Sequence, residues 1–387
     1  MIPYGRQNIN QTDVDAVIEV LKSDFLTQGP QVPRFEQIIA NEVCAKHAVA
    51  VNSATSALHI ACMALELGDG DWLWTTPNTF VASANVGLYC GAKVDFVDID
   101  PKTYNMCPQN LESKLVEAQL NNRLPKVLIP VHLCGQPCDM AAIHELCQKY
   151  GVRIIEDASH AIGGRYLGGP VGSCEYSDIT VFSFHPVKII TTAEGGAAVT
   201  NDPLLAQKLR LLRSHGVTRD QGLMTEPSHG DWYYQQIALG YNYRMTDLQA
   251  ALGISQMQRL RQFVAKRHKL ARRYDSLLKA LPVKTPFQIP NSYSGLHLYV
   301  IRLKLDDMDV THKEVFDGLK ASGIGVNIHY IPVHTQPFYK SIGFKEGDFP
   351  EAEKYYQEAI SLPMYPDLSE SDQNKVIDVL ASLVSSR

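Results

Sequence analysis

From residue 48 to residue 200 the chain alternates short apolar runs with helix-length stretches, and no other feature narrows the fold as much. The runs fall at 48–51, 72–75, 93–97, 126–131, 152–155, 179–183 and 196–200. Several are continuous, apolar and β-branched, as strands buried on both faces must be. Helical stretches at 56–67, 83–90, 110–118 and 140–150 separate the first five. A strand–helix alternation of this kind predicts an α/β fold with a mostly parallel central sheet sandwiched by helices. The last two runs follow closely on one another, which leaves room for one antiparallel strand.

The flanks carry helix punctuation. Thr12 is expected to cap a first helix with Asp15 completing a capping box, and Val14, Val17, Ile18 and Leu21 share one face. Asp202-Pro203 opens a helix that closes on Arg213-Ser214-His215-Gly216. Thr246-Asp247-Leu248-Gln249 is a second capping box and opens one long helix to about residue 280, whose Arg and Lys residues read as a solvated face. Beyond Pro282, Pro286 and Pro290 comes a smaller α+β unit: a strand at 298–305, a helix at 313–322, the segment 325–330, and a C-terminal helix from about Ser369. With 387 residues the chain exceeds one simple core. It divides into a large unit over 1–255 and a small C-terminal unit over 256–387.

Composition excludes several classes. Thirty-six basic against 41 acidic residues give a net charge of −5, which argues against broad nucleic-acid or membrane-surface binding. Eight cysteines form no disulfide or zinc framework; Cys134 and Cys138 are the only close pair, and reduced thiols are expected. No apolar segment has the length of a membrane span, and the N-terminus has no signal-peptide pattern. A cytoplasmic protein without bound metal is expected.

Ligands of open α/β sheets bind beyond the carboxyl ends of the strands, so the residues that follow each strand are the informative ones. After 48–51 come Asn52-Ser53-Ala54-Thr55-Ser56, small hydroxylated residues entering a helix, whose free N–H groups suit an anion. Taken alone, this is an ordinary Ser/Thr cap. After 152–155 come Glu156-Asp157-Ala158-Ser159-His160. Carboxylates there need a positive partner, either a metal or a protonated ring nitrogen. After 179–183 comes Ser183-Phe184-His185-Pro186-Val187-Lys188, a lysine among apolar neighbours. Desolvation lowers a lysine's pKa towards a nucleophilic amine. An isolated lysine would read as a snorkelling loop residue.

Together the three segments meet the requirements of pyridoxal 5′-phosphate: an anion site for its phosphate, a carboxylate for its ring nitrogen and an amine for its aldehyde. Phe80, beyond the 72–75 strand, is placed to stack on the ring.

The segments 156–163, 183–188 and 192–196, with Leu26-Thr27-Gln28-Gly29, Arg213-Ser214-His215-Gly216, Gly240-Tyr241-Asn242-Tyr243-Arg244-Met245-Thr246-Asp247 and His329-Tyr330, resemble the DegT/DnrJ/EryC1/StrS nucleotide-sugar aminotransferases over nearly the whole chain. Segments 52–58, 80–85 and 190–196 are most similar to members acting in pseudaminic acid biosynthesis. The resemblance implies a fold-type-I enzyme working as a homodimer with shared active sites. It implies Lys188 as the Schiff-base residue, forming an internal aldimine and cycling through pyridoxamine phosphate. It pairs Asp157 with the pyridine nitrogen and brings His160 to the ring hydroxyl. Ala54, Thr55 and Ser183 would hold the phosphate, with Asn242 reaching the neighbouring subunit's phosphate. Tyr4, Asp24, Phe25, Leu26, Thr27, His185, Ile328, His329, Tyr330 and Ile331 would line the sugar-nucleotide pocket.

The implied reaction transfers an amino group from L-glutamate, released as 2-oxoglutarate, to C4 of a UDP-linked 4-keto-6-deoxy-N-acetyl hexose. Other family members of the UDP-bacillosamine or dTDP-sugar type are the alternative. Sugar dehydratases of the family carry histidine in place of the lysine, and a silent regulator should have lost it, so Lys188 counts against both. A dinucleotide-dependent oxidoreductase needs G-x-G-x-x-G after the first strand, and Asn52–Leu58 contains no glycine.

Overall fold

The computed structural model describes residues 1–384. Seven strands form the central sheet: β1 His47–Val51, β2 Trp72–Thr75, β3 Lys93–Phe96, β4 Val127–Ile129, β5 Arg153–Asp157, β6 Ile179–Ser183 and β7 Gly196–Thr200. Their order is β1-β7-β6-β5-β4-β2-β3. Only β7 runs against the rest, wedged between β1 and β6. The expected parallel sheet with one antiparallel member is therefore what forms.

Both faces of the sheet are covered, which is why its strands read as continuous apolar runs. In β1, Val49 and Val51 point into one core with helix α3 (Ala54–Ala64) and helix α4 (Ala82–Tyr89). Ala48 and Ala50 point into the opposite core with Phe35 and Ile39. Helices α5 (Pro108–Leu120) and α6 (Met140–Tyr150) cover that second face over β2, β4 and β5, around Trp74, Leu128 and Ile154.

The structure corrects several local expectations. Helix α1 (Gln11–Leu21) is capped by Asn10 and Asp13, not by Thr12 and Asp15. The reason is tertiary: Asp13 is buried and also accepts from Ser255 and Gln256 and pairs with Arg259. Helix α2 (Gln31–Val43), unassigned from sequence, buries Val32, Phe35, Ile39 and Val43 at helical spacing. Helix α7 (Pro203–Arg213) starts on its Asp202 cap as expected.

The long helix is two: α8 (Asp247–Met257) and α9 (Leu260–Leu277), parted at Gln258 and Arg259. Nor is α9 a uniformly solvated basic face, because Arg267 is 1% exposed. It holds the carbonyls of Leu296, His297 and Met364 at 3.3, 2.9 and 3.0 Å. The segment 325–330 is no strand and makes only an isolated bridge, Asn327 to Ser361.

A separate small core joins Tyr274, Tyr299, Ile301, Leu319, Ile360 and Leu380. Ile2 joins it from the N-terminus and pairs with Ile324. All eight cysteines are free thiols. Among the described residues no helix is long and apolar enough to cross a membrane, and no His/Cys/Asp/Glu group has the arrangement of a metal site.

Candidate active site

A cavity of about 600 Å³ opens where the carboxyl ends of β1, β2, β5 and β6 meet the small unit. This is the size of a small-molecule site and the position an open α/β sheet predicts. Its wall contains Tyr4, Ala54, Thr55, Phe80, Asp157, His160, Ser183, His185, Lys188, Ile328, His329 and Tyr330 from the sequence-derived set.

Six expected residues do not line it. Asp24, Phe25, Leu26 and Thr27 lie on an exposed loop fastened to α8 by the Asp247 N–H on the Leu26 carbonyl. Ile331 is 45% exposed, outside the wall. Asn242 is exposed and held at Asn52 and Ser214. Within one chain these six are surface groups.

The start of α3 forms one end of the cavity. Ser53 caps it by accepting the Ser56 N–H at 3.1 Å, which leaves the Ala54 and Thr55 N–H groups without helical acceptors. Such a turn binds anions. Gly196 makes this turn possible: a Cβ there would stand 2.6 Å from the Ala54 nitrogen. No larger residue fits without moving the helix start.

Asp157 ends β5 and is buried. Its Oδ2 accepts from Ser83 Oγ at 2.7 Å and its Oδ1 from the Ser159 N–H at 3.1 Å. Glu156, beside it in sequence, points to the opposite face. There it accepts from Ser177 and Thr180 and pairs with His132 Nε2 at 2.7 Å. Strand alternation thus assigns the adjacent carboxylates different fates. Asp157 faces the cavity, and Glu156 belongs to the core.

Burial lowers the Lys188 amine to a pKa of about 8, opposed by Asp157 and Cys134, which favour its charged form. His160 is buried and held well below its usual pKa by burial, then by Lys188 and His329. His329 falls to about 3, by burial and then Lys188. The cavity therefore sets the Lys188 amine and the Asp157 carboxylate beside the neutral imidazoles of His160, His297 and His329.

Sequence reasoning missed Ser83, Thr79, Glu194, His297 and Asn327, all in the cavity wall. Ser83 and Thr79 follow β2, and reading both sides of Phe80 for hydroxyls would have found them. His297 and Asn327 come from the small unit, and only its docking brings them near.

The residues fit pyridoxal phosphate: free N–H groups under a cradle that a Cβ would fill, a desolvated amine, and a buried carboxylate across the same cavity.

Comparison with known proteins agrees. Residues 7–381 match the DegT/DnrJ/EryC1/StrS aminotransferase family. The chain is 40% identical over 386 residues to the spore coat polysaccharide biosynthesis protein SpsC of Bacillus subtilis, covering 99% of this chain and 97% of that one. It is 38% identical over 385 residues to the UDP-4-amino-4,6-dideoxy-N-acetyl-beta-L-altrosamine transaminase of Campylobacter jejuni, covering 99% and 98%. A sugar aminotransferase structure from Streptococcus pneumoniae, in its pyridoxamine phosphate form, superposes with a TM-score of 0.90 at 29% identity, covering 99% of each chain. The same protein is also known in a pyridoxal phosphate form.

Proposed function

This chain belongs to the DegT/DnrJ/EryC1/StrS aminotransferase family, and from that premise we propose that it transfers an amino group from L-glutamate to C4 of a UDP-linked 4-keto-6-deoxy-N-acetyl hexose, in pseudaminic acid biosynthesis. It is a pyridoxal-phosphate-dependent nucleotide-sugar aminotransferase. Bound pyridoxal phosphate supplies an electron-accepting ring for the charge left when a proton departs beside the amine.

The observation that carries the aminotransferase part of the proposal is that the desolvated Lys188 amine and the Asp157 carboxylate line one cavity. In our reading Ala54, Thr55 and Ser183 bind the phosphate. Asp157, oriented by Ser83, keeps the ring nitrogen protonated. Lys188 would hold the aldehyde carbon and, with its amine lowered to about 8, would give up and take protons more readily than an ordinary lysine. Phe80 would cover a ring face, and His160 would stand on the hydroxyl side of the ring. Tyr4, His185, Ile328, His329 and Tyr330 form the sugar side of the wall.

We place Asn242 and the 24–27 loop with Ile331 at a partner's site in a homodimer. Their exposure supports this, as does that of Phe25 and Leu26, apolar side chains 54% and 48% exposed in one chain. We divide the chain near residue 255; the separate core from Leu270 onward supports a small C-terminal unit, although Met257, Leu260, Phe263 and Val264 pack with the large one. The protein is assigned to the cytoplasm on composition, with glutamate and a UDP-sugar as its small-molecule partners and no membrane or nucleic-acid partner.

The 40% identity to a spore coat polysaccharide biosynthesis protein favours a second reading, the same chemistry on another keto sugar. Product analysis decides between them. The enzyme is incubated with glutamate and a panel of UDP- and dTDP-4-keto sugars. A marked preference for the UDP-linked N-acetyl sugar of β-L-arabino configuration is expected, because a wrong epimer strands buried polar groups. Equal turnover of the α-D-xylo epimer, or preference for a dTDP sugar, overturns the pseudaminic assignment and leaves the aminotransferase standing.

A further inference from the structure

Cys134 donates its backbone N–H to Nδ1 of His160 at 3.2 Å. A nitrogen that accepts carries no proton, so neutral His160 holds its single proton on Nε2. That Nε2 lies 3.1 Å from the Tyr330 hydroxyl. The imidazole must therefore donate and the phenol oxygen must accept. Among the described residues the phenol has no second partner, which leaves its own proton to the cavity.

Tyr330 is also fixed from other sides. Its backbone N–H binds Asn78 Oδ1 at 3.2 Å, and its ring stacks at 23° to that of His160. The neighbouring His329 carbonyl accepts from Tyr355 at 2.9 Å. Burial keeps the Tyr330 phenol well above its usual pKa, so it stays a neutral donor.

The cofactor has its phosphate arm and its ring hydroxyl on opposite sides of the aldehyde carbon. In the sheet the turn into α3 follows β1, while His160 follows β5 and meets Cys134 beyond β4, on the far side of Asp157 from α3. A cofactor held with its phosphate at Ala54 and Thr55, its ring nitrogen at Asp157 and its aldehyde at Lys188 would turn its ring oxygen towards His160 and Tyr330. We propose that Tyr330 is a hydrogen-bond donor to the cofactor's ring oxygen, aimed there by the tautomer that the Cys134 N–H imposes on His160. Tyr330 would then be a cofactor residue from the small unit, and Cys134 and His160 would set the direction of its bond. The inference rests on the cofactor assignment and is independent of which sugar is bound.

The test is a pH titration of the visible band of the reconstituted enzyme, wild type against Tyr330→Phe. A donor to the ring oxygen stabilises its ionised form, so removing the donor raises the midpoint, by about one unit for a hydrogen bond to a charged group. The other groups facing this region are Tyr4, Cys134, Asp157, Lys188, His297 and His329, and the substitution leaves all of them in place.

A second measurement covers a variant with weakened loading: binding of pyridoxal phosphate and of its 3-deoxy analogue. Wild type should bind pyridoxal phosphate about tenfold more tightly than Tyr330→Phe does. The analogue, which lacks the ring oxygen, should bind both equally. An unchanged midpoint, or an equal loss for both ligands, overturns the inference. If the wild type forms no visible band, the cofactor assignment itself has failed.

Discussion

Ser83 Oγ lies 2.7 Å from Asp157 Oδ2 and donates to it. Since Ser83 spends its proton there, Thr79, 2.9 Å away, must donate to Ser83. All three side chains are buried, so a hydroxyl chain from the start of α4 fixes the carboxylate that faces Lys188. Ser83→Ala should fold normally and bind pyridoxal phosphate about tenfold more weakly, the loss of one charge-assisted hydrogen bond. An absorbance titration measures this, and unchanged affinity would remove Ser83 from the site.

The Lys188 amine should set a pH dependence. Its lowered pKa of about 8 means that the reactive neutral amine appears as pH rises through 8. The rate at which the cofactor-free protein captures pyridoxal phosphate should climb with pH and level off above that point. Asp157 favours the charged amine, so Asp157→Asn should shift the midpoint lower. Lys188→Ala should abolish the visible band and turnover. A rate still climbing at pH 10 would show that burial does not activate the amine.

The two adjacent carboxylates should separate on mutation. Glu156→Gln disturbs a buried cluster with His132, Ser177 and Thr180 and should lower thermal stability by roughly 1–3 kcal/mol, with the cofactor spectrum intact. Asp157→Asn should do the reverse, preserving most stability and reducing kcat by orders of magnitude, because the ring nitrogen loses its anionic partner. Calorimetry and single-turnover kinetics on both variants give the comparison.

Gly196 is the steric test of the phosphate turn. Gly196→Ala places a methyl 2.6 Å from the Ala54 nitrogen and 2.7 Å from its Cα, both backbone atoms. The helix start must move, so we expect a loss of about 1–3 kcal/mol in stability and weaker binding of both cofactor and inorganic phosphate. Retained phosphate affinity would place the anion site elsewhere.

What the sequence determined by itself is where β1 to β7 lie along the chain, because several of them advertise two-sided burial in their own composition; the edge strand β3, with Lys93 exposed, does not. It also pointed to Ala54, Thr55, Asp157, Ser183 and Lys188, which the fold brings to one cavity, because residues that follow a parallel strand lie near the ligand cleft. Tertiary structure decided the rest. Asn10 rather than Thr12 caps α1 because α8 supplies Asp13 with partners 242 residues away. Arg267 left the solvated face because three carbonyls of the small unit meet it. Glu156 and Asp157 read alike as neighbouring acids, and only the pleat of β5 and the hydroxyls across it separate core from cavity. His297 and the donor direction of Tyr330 were invisible in the chain. They depend on which backbone N–H reaches a given imidazole nitrogen, a contact made only when distant segments dock.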